Sequence, residues 1–112
     1  MIYKLLRGSE WAQAQAMSRF TGSPVDIKDG FIHFSTALQA AETAAKYFSG
    51  EPGLVLAEVD PTRLGGALKW EPSRGGALFP HLYGVLPLTA VTRTWMLALG
   101  TDGRHELPSD LS

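Results

Sequence analysis

The stretch that decides the fold is FIHFSTALQAAETAAKYFSG, Phe31 to Gly50. Phe31 to Ser35 alternates as a strand does, which sends Ile32 and Phe34 to one face and Phe31, His33 and Ser35 to the other. Thr36 followed by Gln39 fits a capping box, so a helix is expected from there to about Phe48. Leu38, Ala41, Ala45 and Phe48 share one helical stripe and are expected to face the core, with Gln39, Glu42, Thr43 and Lys46 pointing elsewhere. Ser49, Gly50 and Pro52 end the helix.

Upstream, Ile2 to Leu6 reads as a first strand, and Ser9 as the N-cap of a helix running to about Arg19. Trp11, Ala12, Ala16 and Phe20 would form its inward side. Thr21 to Gly30, rich in Gly, Pro and Asp, reads as loop. Downstream, Leu54 to Val59 is a strand stopped by Asp60-Pro61, and Pro61 to Gly66 a turn or short helical hook. Ala67 to Glu71 is a further strand, the segment from Pro72 to Gly76 a turn, and Phe79 to Gly84 extended. A tight turn at Pro87 to Ala90 leads into a last long strand, Val91 to Leu99. The tryptophans at 11, 70 and 95 are expected in the core. Two N-terminal helices and several short strands without βαβ alternation make this an α+β chain with a mostly antiparallel sheet. Residues 1–99 read as one domain and residues 100–112 as a loose polar tail.

With 112 residues the chain suits one domain. Its 45% hydrophobic content is that of an ordinary globule, and 10 basic against 11 acidic residues argue against a nucleic-acid partner. Cysteine is absent, which excludes disulfides and thiol nucleophiles. The N-terminus is broken by Lys4, Arg7 and Glu10 before any apolar run reaches signal length, so a cytoplasmic protein without membrane contact is the expectation.

Phosphate-loop, dinucleotide and nucleophile-elbow motifs are missing, and the three histidines (33, 81 and 105) lack metal-ligand spacing, so no metal site is expected. What remains is polar side chains set in aromatic strands. His33 and Ser35 leave one strand face just before a helix N-terminus, a junction suited to an anion. The alternative is that Ser35 or Thr36 only caps the helix while His33 donates to a backbone carbonyl. His81 and Tyr83 repeat the spacing in FPHLYG, either as a functional pair or as a core histidine beside a surface tyrosine. Glu71 and Arg74 flank a turn and read as a solvated surface pair.

DGFIHFST, the QxxxTAxxYF helix and FPHLYG together resemble an uncharacterised bacterial family, domain of unknown function 952, over Ile2 to about Leu97. That family is similar in fold to ADP-ribosyltransferases and RNA 2′-phosphotransferases. The resemblance implies two small, mostly antiparallel sheets around a cleft for NAD or a related ADP-ribose compound. It implies cofactor contacts for Ser35 and Thr36 at the strand end and for Lys4, which stands where relatives commonly carry a histidine. His33 would shape the pocket, and His81 and Tyr83 would supply hydrogen bonds or proton transfer. The transferases carry a catalytic glutamate on a late strand, where this chain has FPHLYG and no carboxylate. The expectation is therefore a nucleotide-binding protein rather than a transferase, with a non-catalytic interaction module as the alternative. A third reading pairs His81 with Glu71 as acid and base on a small phosphorylated molecule, provided the two side chains meet.

Overall fold

Hydrophobicity on both faces places Leu54–Val59 at the centre of the molecule: every residue of this strand is buried. A computed structural model describes residues 1–111, and of Arg74 the main chain only. Among the described residues the elements run β1 (Ile2–Arg7), α1 (Gly8–Met17), β2 (Arg19–Phe20), α2 (Pro24–Asp29), β3 (Ile32–His33) and α3 (Ala37–Tyr47). The second half supplies β4 (Leu54–Val59), β5 (Leu68–Pro72), β6 (Leu78–Leu82), β7 (Leu86–Pro87), β8 (Val91–Met96), β9 (Ala98–Leu99) and β10 (His105–Glu106). Short 3₁₀ turns, Pro61–Arg63 and Gly65–Ala67, make the hook after Asp60.

All ladders among the described residues are antiparallel. One three-stranded sheet has the order β1-β4-β8, with Leu5 opposite Leu56, and the other has the order β3-β6-β5, with His33 opposite His81. Two-stranded ladders join β2 to β7 and β9 to β10. On one face of β1 and β4, Ile2, Leu6, Ala57 and Val59 pack with Phe20, Ile32, Phe34 and Leu82. On the other, Tyr3, Leu5, Leu54 and Leu56 pack with Ala44 and Leu97. Side chains of this size contribute roughly 1.5–3 kcal/mol each when fully buried. No helix among the described residues is long and apolar enough to cross a membrane.

The segment Phe31 to Ser35 ties the two sheets together. Ile32 and His33 pair with β6, Phe34 N–H donates to Pro80 O at 3.0 Å, and Ser35 exchanges two 2.8 Å backbone bonds with Tyr3. The strand expected there is thus divided between two partners, and its alternation holds: Ile32 and Phe34 are both core residues.

Several expectations are corrected. Among the described residues there are three α-helices, because Thr21 to Gly30 is not loop throughout. Ser23 accepts from Asp26 N–H, Asp26 accepts from Ser23 N–H, Pro24 opens the first turn and Gly30 closes the helix at φ 86°. Helix α1 begins at Gly8, not after Ser9, since β1 runs on to Arg7, whose N–H is capped by Glu10 at 2.8 Å. Its buried residue is Ala14, and Ala12 and Ala16 are exposed. Helix α3 keeps its Thr36–Gln39 capping box but turns a different face inward: Ala40 and Ala44 are buried, and Leu38 is 96% exposed. Small residues let the helix lie close on β1, and Gln39 Nε2 donates to Leu78 O at 2.9 Å to fix that orientation. Trp70 lies exposed on β5, and only Trp11 and Trp95 pack partly against the cores.

The last long strand divides at Leu97, which turns into the core, and the chain beyond Gly100 is not loose. There β10 pairs with β9, Leu107 and Leu111 pack on the second core, and buried His105 donates from Nε2 to Glu51 O at 2.6 Å.

Candidate functional site

Where the Tyr3–Ser35 bridge brings the sheets together, a cleft of about 480 Å³ opens. Lys4, His33, Ser35, Thr43, Phe79 and His81 line it, drawn from β1, β3, α3 and β6. Helix α2 forms a further wall through Pro24, Val25, Asp26 and Asp29, and Arg7 and Phe48 stand on the α3 side.

The deepest polar group is Asp26. Lys4 Nζ lies 3.0 Å from Oδ2, His33 Nδ1 lies 2.6 Å from Oδ1, and His33 N–H donates to Oδ1 at 3.2 Å. Burial pushes the carboxyl upward, yet the His33 hydrogen bond, the Lys4 ammonium and the Ser23 amide outweigh it and hold Asp26 well below the usual carboxylate range. Burial likewise lowers the Lys4 ammonium from its ordinary value, and Asp26 offsets only part of that. At 3.0 Å from Asp26 Oδ2, the Lys4 amine lines the cleft already engaged by a partner.

His33 has a second partner: Nε2 lies 3.0 Å from Asp29 Oδ2. Beside it, His81 is held by Glu71, whose Oε1 is 2.9 Å from Nδ1, and Tyr83 O–H donates to the same oxygen at 2.7 Å. These bonds, Tyr83 first and His81 second, keep the Glu71 carboxyl below its ordinary value. The register explains the meeting, because Glu71 and His81 leave the same face of neighbouring strands. A carboxylate accepting from Nδ1–H leaves Nε2 as the basic nitrogen, and no described residue bonds it. Phe31 covers the pair, its ring centroid 4.6 Å from His33 and 4.1 Å from His81. Ser35 and Thr43 share a 2.8 Å hydroxyl contact on the opposite wall.

Of the six residues expected to act, Lys4, His33, Ser35 and His81 meet at the cleft. Thr36 and Tyr83 do not line it: Thr36 serves as a helix cap, and Tyr83 stands behind Glu71. The expected pairing of Glu71 with Arg74 falls on a side chain outside the described residues. Glu71 orients His81. Asp26, Asp29 and Thr43 were missed by sequence reasoning. The Ser23-Pro-Val-Asp26 spacing and the following Gly30 announced the helix that carries the two aspartates.

A family model described as a protein of unknown function, DUF952, matches residues 5–94. The chain belongs to the DUF952 family. Among solved structures, this DUF952 chain is 54% identical to the crystal structure of protein CC0527 from Caulobacter crescentus, with a TM-score of 0.91 over 94% of this chain and 92% of that one. A solution NMR structure of the same Caulobacter crescentus protein is 55% identical, with a TM-score of 0.83 over 92% and 89%. No curated protein matches.

Proposed function

We propose that the cleft binds NAD or a related ADP-ribose compound, in an ADP-ribosyltransferase-like arrangement of two small sheets. The observation that carries this reading is the convergence of Lys4, His33, Ser35 and His81, from separate elements, on one cleft of about 480 Å³, a volume that suits a small organic ligand. Phe79 and Phe48 offer apolar surface for a planar ring, and Ser35, Thr43 and His81 offer hydrogen bonds to an amide or ribose hydroxyl. Because Lys4 is committed to Asp26, its part is to fix the cleft wall. The Glu71 carboxylate backs His81 instead of entering the cleft, which favours binding over transfer.

Calorimetric titration with NAD, ADP-ribose and nicotinamide tests the reading. Binding that Ser35→Leu and His81→Ala both abolish is the expected result. Absence of heat and of any thermal shift at millimolar ligand would remove it.

The 2.9 Å contact between His81 and Glu71 favours a second reading, in which His81 acts as acid or base on a small phosphorylated molecule bound in the same cleft. Turnover lost in His81→Gln with binding retained would select it. Binding without turnover leaves the cleft a receptor.

A further inference from the structure

Helix α2 is attached to the protein in an unusual way. Its buried residue is Asp26, while Val25 and Ile27 are 54% and 68% exposed. Six residues are also too few for a helix that stands alone. Burial of apolar area thus contributes little to its docking, and polar contacts do the holding. Asp26 accepts from Lys4 and from His33 Nδ1 and N–H, and Asp29 faces His33 Nε2.

His33 is the one ring that touches both ends of this tether. A neutral imidazole carries a single N–H, so it donates to Asp26 or to Asp29, and only the imidazolium serves both. Asp26 is fixed from three further sides, by Lys4, Ser23 N–H and His33 N–H. Asp29 is exposed on the last residue of the helix and is free to turn to water. Loss of the proton therefore breaks the Asp29 contact first. Among the described residues the other groups facing His33 are Phe31 and His81, the latter held by Glu71, and neither belongs to α2.

We propose that the last turn of α2 is a movable part of the cleft wall, latched while the protonated His33 is clamped between Asp26 and Asp29 and released when His33 becomes neutral, with Asp26 still anchored by Lys4. Because Asp29 lines the cleft, release of that turn widens it on that side. As regulation of ligand entry the device rests on the cleft reading above. The latch itself is tested in the ligand-free protein, so the two fail separately.

The experiment follows amide hydrogen exchange by NMR from about pH 5 to about pH 8, corrected for intrinsic rates, alongside the ring nitrogens of His33. Protection at Asp29 and Gly30 is expected to fall about tenfold or more, as loss of a charge-assisted hydrogen bond implies, with a midpoint that tracks His33. Amides of β1 and β4 keep their protection throughout. Asp29→Ala should show the released turn at every pH with the sheets unchanged. Protection of the last turn of α2 that is constant with pH, or an Asp29→Ala variant that behaves as wild type, overturns the latch. Failure of every nucleotide to bind leaves that result intact and removes only the ligand reading.

Discussion

Lys4 Nζ lies 3.0 Å from Asp26 Oδ2 with both side chains buried, and this pair joins the central sheet to the wall of the cleft. Removing one partner strands the other charge in the interior. Asp26→Asn is expected to cost about 3–5 kcal/mol, the usual result of breaking a buried ion pair. Lys4→Met costs less, because Asp26 keeps His33 and the Ser23 amide while the methionine fills the apolar space beside Phe20. Urea denaturation of the two variants measures the difference, and a reversed order would contradict this account.

The same carboxylate sets the acid limit of stability. Its folded value lies below the ordinary range, whereas the unfolded chain titrates near about 3.9. In that interval the unfolded state binds more protons, so stability is complete above about pH 4 and is lost as pH falls toward the folded value. Equilibrium unfolding across acid pH should show this slope in the wild type and a flatter one in Asp26→Asn. Equal slopes would show that other carboxylates carry the acid limb.

Thr36 accepts from Gln39 N–H and is absent from the cleft lining. Thr36→Ala should cost about 1 kcal/mol, as N-cap losses do, and Thr36→Ser should be nearly silent. Ligand affinity is expected to be the same in both. A loss of binding without loss of stability in Thr36→Ala would return this residue to the site.

Helix α3 gives a packing test. Ala44→Leu inserts bulk against Leu54 and Leu56 and should cost about 1–3 kcal/mol. Leu38→Lys, at a position almost entirely in water, should stay within about 0.5 kcal/mol of wild type. Thermal unfolding of the two variants decides which face is buried.

In its neutral form His81 should carry its proton on Nδ1, because Glu71 accepts there. Glu71→Leu removes that acceptor and is expected to shift the ring toward the Nε2–H form, visible in its nitrogen chemical shifts. An unchanged tautomer would mean that Glu71 does not orient the ring.

The elements with strong local chemistry were legible in the chain itself. The β1 and β4 runs, the Thr36–Gln39 box and the alternation of Ile32 with Phe34 depend on contacts only a few residues apart, and each stands where its residues put it. The site was legible in part. His33, Ser35 and His81 drew notice as polar groups in aromatic strands, whereas Asp26 sat in a segment whose Gly, Pro and Asp content masked a six-residue helix.

The chain alone therefore determined that β1, β4 and α3 form and that α3 starts at its Thr36 cap, since hydrogen-bond caps and side-chain alternation act over short range. Tertiary structure decided which face of α3 turns inward, that Glu71 stands behind His81, and that Asp26 meets Lys4 across 22 positions. Those outcomes depend on register between distant strands and on how closely two surfaces approach. A helical stripe such as Leu38, Ala41 and Ala45 is equally regular whichever way the helix is turned, and only the sheet beneath it makes alanine the better fit.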